Sequence, residues 1–171
     1  MRAGLWHVIG VVAVLARLPA MAAGERVREW LSPDRQVRIS SVKIGSENEI
    51  GYQLRLSKAG HTSVIVDQYF RAVDVSWSPG SKYVAVTDWM GSNVSDCYIV
   101  DTDHPEGRFS MTEALPKLPE EADSHFYVSY QGWESVETIR VRASGHTDYT
   151  PVHEFDYRFL YDVVDRRVTR L

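Results

Sequence analysis

The chain has 171 residues, of which 44% are hydrophobic, 25% charged and 11% aromatic, with a formal net charge of −4. That composition excludes a disordered chain and carries enough apolar side chains for one domain with its own core. The acidic balance leaves no uniformly basic surface, so nucleic acid is not an expected partner. A single cysteine excludes an internal disulfide.

The chain opens with Arg2, the apolar run "GLWHVIGVVAVLA" (Gly4 to Ala16) and the small residues Ala20-Met21-Ala22. A positive start, an apolar stretch of that length and a small-residue cleavage site are the parts of a secretory signal. Residues 1–22 are therefore expected to be removed. Arg17 interrupts the run too early for a membrane-spanning helix, so no stable membrane insertion is expected after cleavage. Losing Arg2 and Arg17 leaves 23 acidic against 17 basic residues. The expected location is secreted or periplasmic, and Cys97 lies far from the cleavage site, which excludes a lipid-modified N-terminus.

Residues 23–171 read as a single all-β domain. "AAGERVREWL" suits one helical turn at its start. After it, "RQVRISSVKI", "GYQLRLSKAG", "TSVIVDQYF", "RAVDVSW", "KYVAVTDW", "CYIVD", "HFYVSYQGW", "ETIRVRASG" and "EFDYRFLYDVV" alternate apolar and polar residues and are rich in β-branched and aromatic side chains. The one convincing helical stretch is "MTEALPKL", which Pro116 and Pro119 cut short. Cys97 begins the strand "CYIVD" and is expected to be a buried thiol.

Three stretches superimpose: "LSPDRQVRIS" (31–40), "WSPGSKYVAV" (77–86) and "WESVETIRVR" (133–142). Each is a bulky apolar residue, a tight turn and a strand; Val37, Tyr83 and Ile139 fall together, and Trp77 and Trp133 are expected to be buried at equivalent positions. Ser32-Pro33 and Ser78-Pro79 place proline where its fixed φ suits a turn. Asp34-Arg35 in the first copy forces Arg35 toward positive φ. Strand, polar turn and strand follow each copy. The repeat is four antiparallel strands, in units of about 29–69, 70–115 and 124–171, at a spacing typical of propeller-type arrays.

"VSWSPGSKYVAVTDWMGSNVSDCYIVDTD" (Val75 to Asp103) resembles the repeat of TolB-type and WD-repeat-like β-propellers. The resemblance covers the second unit well, the first weakly and the third by pattern alone. It implies three propeller-blade-like units, in a compressed or incomplete propeller; a β-sandwich is the alternative. Propellers close with four to eight blades, so three units leave two end faces to cover. An N-terminal segment pairing with the last strand as a latch, a partner chain, or a homodimer would each cover them. The resemblance further implies a protein or peptide partner.

The loop "DWMGSNVSDC" is the leading candidate site. Asp88, Trp89, Met90, Ser92, Asn93, Ser95 and Asp96 combine large apolar side chains with clustered hydrogen-bonding groups, which is the composition of an interface. The competing reading is a turn whose polar side chains bond only to their own backbone. "NVS" is also a glycosylation sequon. "DTDH" (101–104) lacks the spacing of a calcium loop and reads as a polar turn. "HTDYTPVH" (146–153) brings two histidines and an aspartate together but lacks a third recognisable zinc ligand nearby; His61, His104 and His125 lie elsewhere in the chain. It reads as a solvated loop. No metal, cofactor or catalytic residue is expected. The resulting function is an exported, non-catalytic binding or interaction module. The alternatives are a small periplasmic metal-dependent or hydrolytic enzyme, and a structural subunit completed by a partner strand.

Overall fold

The computed structural model describes residues 26–45, 50–118, 124–148 and 150–171; the expected signal segment lies outside them. Three four-stranded antiparallel sheets follow one another in chain order. Sheet 1 is β1 (Arg26–Leu31), β2 (Val37–Ile44), β3 (Gly51–Lys58) and β4 (Val64–Tyr69). Sheet 2 is β5 (Ala72–Trp77), β6 (Tyr83–Trp89), β7 (Val94–Asp101) and β8 (His104–Ser110), followed by the single helical turn α1 (Met111–Ala114). Sheet 3 is β9 (Ser124–Trp133), β10 (Thr138–Thr147), β11 (Glu154–Asp162) and β12 (Arg167–Arg170). Sheets 2 and 3 are also stitched edge to edge. β9 pairs in parallel with β7 at Val94↔Phe126 and Ser95↔Tyr127, before β7 meets β8 at Tyr98.

Two expectations are corrected. The helical turn expected near residue 26 is strand β1: its hydrogen bonding to β2 from Arg26↔Val42 to Leu31↔Arg38 overrides a weak local helix preference. The latch is replaced by two open ends, with β1 an edge strand of sheet 1 and β12 an edge strand of sheet 3.

The reason lies in which faces are apolar. Sheet 2 is buried on both sides. Val84, Val86, Tyr98 and Val100 face sheet 1 and meet Val37, Ile39, Leu54, Leu56 and Val66. Tyr83, Ala85, Cys97 and Ile99 face sheet 3 and meet Val128, Ile139, Val141, Phe159 and Tyr161. Sheets 1 and 3 each pack one face against sheet 2, although on the far face of sheet 1 Ser40, Val42 and Ser57 are also buried. The far face of sheet 1 carries Gln53, Arg55 and the Arg38–Glu29 pair, at 3.3 Å. The far face of sheet 3 carries Arg140, Arg142, Asp156 and Arg158, with Arg142 gripping Asp156 through two bonds of 3.0 and 3.2 Å. Charged outer side chains suit such faces to water, as on the end caps of other stacked-repeat proteins.

The turns explain the repeat and refine it. Ser32 and Ser78 are buried, and their hydroxyls accept the N–H of Val37 (3.0 Å) and Tyr83 (3.1 Å), the first residues of β2 and β6. Arg35 sits at φ 61° as expected, and its equivalent Ser81 at φ 62°. The third turn is one residue shorter. Trp77 pairs with Val84, but Trp133 pairs with Ile139. The equivalent of Ile139 is therefore Val84, not Tyr83, and the superposition of Val37, Tyr83 and Ile139 is one residue out in the third copy. A one-residue slip exchanges the faces of a strand; here it aims Ile139 back at sheet 2. Trp77 and Trp133 do end equivalent strands, yet both are half-buried rather than buried. Trp133 stacks on Tyr83 at 6.5 Å and donates to the Ser76 carbonyl at 3.3 Å.

Sheets 1 and 2 also share a polar cluster. The Asp67 carboxylate on β4 accepts from the Tyr98 hydroxyl at 2.5 Å and pairs with Arg108, whose guanidinium lies over the Tyr98 ring. Asp88 on β6 is buried beside them, with Oδ1 unpartnered. Burial, reinforced by the Asp67 charge, pushes its carboxyl up to about 6. Cys97 is fully buried, and burial holds its thiol protonated.

Replacing Ser78 by Ala should lower the unfolding free energy by about 1–3 kcal/mol, because the buried Tyr83 N–H loses its acceptor; the shift of the urea midpoint at unchanged slope measures it. Asp88 favours the protonated form when folded. Its contribution is thus fully present below the ordinary carboxylate range and is lost as pH rises through about 6. Asp88→Asn should remove this loss, narrowing the stability difference between about pH 4 and pH 7 by roughly 1–2 kcal/mol relative to wild type. Denaturation curves collected across that range provide the check.

Candidate functional site

The segment 88–96 is less of a loop than its sequence suggests. β6 runs through Trp89 and β7 starts at Val94, so only Met90 to Asn93 connect them, closed by Gly91 N–H donating to the Val94 carbonyl at 3.2 Å. Asp88 is buried in β6. Ser95 is buried in β7, and its hydroxyl donates to the Val128 carbonyl of sheet 3 at 3.0 Å. Asp96 accepts from the hydroxyls of Ser110 (2.8 Å) and Thr112 (2.7 Å) and from Thr112 N–H, fixing the start of α1. Ser95 and Asp96 are thus structural anchors. At the corner, Trp89 is half-buried, donates to Asp74 at 2.8 Å and tilts against Tyr127 at 6.5 Å. Met90 is 50% exposed, and the Ser92 and Asn93 side chains face solvent.

What joins this corner to the rest is the first half of β9. Phe126 N–H donates to the Asn93 carbonyl at 2.9 Å, and the Tyr127 hydroxyl donates to the Ser92 carbonyl at 2.7 Å. Tyr127 shares its face with His125, whose Nδ1 lies 3.3 Å from the same hydroxyl. His125 in turn lies directly across the ladder from His146 on β10, with ring centroids 4.4 Å apart. Beyond β10 the chain turns back on itself. Thr147 N–H donates to the His153 carbonyl and His153 N–H to the Thr147 hydroxyl, both at 2.9 Å. Closing the loop in this way sets Asp148 beside the imidazoles, its Oδ1 3.2 Å from His125 Nε2.

Two glycines produce this meeting. The β9–β10 ladder pairs Arg140 with Gly132 but Val141 with Tyr130, so Gln131 is an extra residue. Gly132 has φ 143°, which a side chain would strain. Without that bulge His146 would face Phe126, and His125 would fall on the opposite face. Gly145 then lets the strands close up: a Cβ there would stand 1.7 Å from the His125 carbonyl oxygen. The motif "HTDYTPVH" thus receives its third donor from β9, a partner twenty-one positions upstream of His146. His153 stays apart from the cluster of His125, His146 and Asp148, whose donor atoms all lie within 4.8 Å of one another. A shallow groove of about 410 Å³ runs alongside, lined by Tyr127, Arg142, Ser144, His146, Glu154 and Asp156 among others. "DTDH" is a polar turn at Thr102 and Asp103, tied to sheet 1 by Lys58–Asp103 at 2.7 Å.

No protein-family model matches the chain, and no curated protein does. Solved structures do. The chain is similar to the β-propeller domain of the Trilobed protease from Pyrococcus furiosus, described as having an open velcro topology, with 14% identity over 85% of this chain and 42% of that one and a TM-score of 0.56. It is also similar to a putative TolB from Agrobacterium tumefaciens, with 17% identity over 83% of this chain and 44% of that one and a TM-score of 0.41. It spans less than half the length of either. The fold is that of β-propeller blades, three of them, stacked in an open array.

Proposed function

We propose that the chain is an exported, non-catalytic interaction module that takes a protein or peptide partner at the corner formed by the β6–β7 turn and the start of β9. The observation that carries this reading is Met90, half exposed in the β6–β7 turn next to Trp89, which tilts against Tyr127, with accessible polar groups at Ser92 and Asn93. An apolar anchor ringed by hydrogen-bonding groups is the usual make-up of an interface centre. The signal-like residues 1–22 support export, and among the described residues no helix is long and apolar enough to cross a membrane.

Trp89→Ala is a poor probe of this surface, since it also removes the bond to Asp74 and the contact with Tyr127. A photo-crosslinking residue at position 90, compared with one at Ile65 on the far face of sheet 1 (also 50% exposed), separates contact from proximity. A discrete adduct at 90 and none at 65, in the compartment where the protein resides, is expected. Met90→Glu should abolish an adduct placed at Ser92 while moving stability by no more than about 0.5 kcal/mol. Equal adducts at both positions, or none, would refute this surface; an adduct of twice the chain mass would assign it to a second copy.

A further inference from the structure

We propose that His125, His146 and Asp148 bind one divalent d-block cation of the Zn²⁺ type, at a site that adjoins the Met90 corner through Tyr127 and stands without the partner reading. The three donors come from two adjacent strands and the turn that follows them. A tetrahedral zinc with bonds of about 2.0–2.1 Å holds its ligand atoms about 3.3 Å apart. His125 Nε2 and Asp148 Oδ1 already stand at 3.2 Å, and all three donor atoms lie within 4.8 Å. Small side-chain rotations close the set around one ion. The backbone is prearranged for it by the Gln131 bulge, the close approach at Gly145 and the Thr147–His153 clasp.

The hydrogen-bond directions supply a second argument. The Tyr127 hydroxyl donates to the Ser92 carbonyl, which leaves its oxygen free to accept from His125 Nδ1–H. With Nδ1 turned to Tyr127, Nε2 is the ring nitrogen that faces the Asp148 carboxylate, 3.2 Å from Oδ1, and it is the atom placed to meet a cation. Tyr127 then plays the part of the outer partner that fixes the tautomer of a metal-bound histidine. Two imidazoles with a carboxylate favour Zn²⁺ and its neighbours over the oxygen-seeking Mg²⁺ and Ca²⁺. Glu154, directly across the ladder from His146 on β11, is the nearest candidate for a fourth protein ligand; otherwise the remaining position opens toward the groove and takes water.

The test is calorimetric titration of Zn²⁺ into the untagged chain after chelator treatment. One ion per chain is expected, at micromolar affinity or tighter, with Mg²⁺ and Ca²⁺ giving no saturable heat. His125→Ala and His146→Ala should each weaken binding by about 100-fold or more, and Tyr127→Phe by about 10-fold. His61→Ala, on the exposed β3–β4 turn, should leave it unchanged. X-ray absorption at the zinc edge of the loaded wild-type chain requires no folded variant and should show two imidazoles per ion. Absence of saturable one-to-one binding, or an edge spectrum without imidazole scattering, would overturn the proposal. So would undiminished affinity in a folded His125→Ala/His146→Ala double variant, leaving an ordinary imidazolium–carboxylate pair.

Discussion

The structure depends on the burial of one sheet on both sides. In β6, six consecutive residues from Tyr83 to Asp88 are buried, odd positions packing on sheet 3 and even positions on sheet 1. A strand with two apolar faces cannot be an end of anything; it demands a neighbour on each side. Sheets 1 and 3 meet that demand with their inner faces and turn charged faces outward. The number of units and the open ends follow from where the apolar faces stop. Polar contacts between sheets, such as Asp34 N–H to the Ser81 hydroxyl at 3.1 Å and Tyr130 N–H to the Thr87 hydroxyl at 3.3 Å, fix how the sheets sit once the apolar faces have met.

Strand content, the repeat and the open propeller-like array were legible because alternation and Ser-Pro turns are local signals. Arg35 could be assigned a positive φ from its place in the turn alone. What escaped were features set by one residue of register. Without Ser-Pro in the third turn, nothing nearby announces that it is shorter, and Ile139 falls one residue out of step in the superposition. β1 was misread for a related reason: six residues with mixed preference become a strand only because β2 offers an edge.

The candidate site was half legible. The loop 88–96 stands out by composition, but Ser95 and Asp96 are committed to holding sheets and α1 together, and Asp88 is buried. The histidines at 146 and 153 looked like a pair by spacing, whereas the ladder pairs 146 with 125. Sequence distance carried no hint of this. The one usable signal is Gly132, since a glycine near the end of a strand, close to a turn, marks a place where the count across the hairpin changes. Chemistry at this corner is decided by two residues without side chains.

The order of the sheets along the chain has a consequence for how the protein is made. Every hairpin pairs strands adjacent in sequence, so each sheet can form as soon as its own residues are available. Synthesis delivers sheet 1 first. Its outward face is already soluble, but Val37, Ile39, Leu54 and Leu56 remain bare until β6 and β7 arrive to cover them. Sheet 2 then passes the same vulnerability forward through Ala85, Cys97 and Ile99, which stay uncovered until β10 is complete. A folding chain that has formed sheets 1 and 2 but not sheet 3 therefore still carries one bare apolar face, that of Ala85, Cys97 and Ile99.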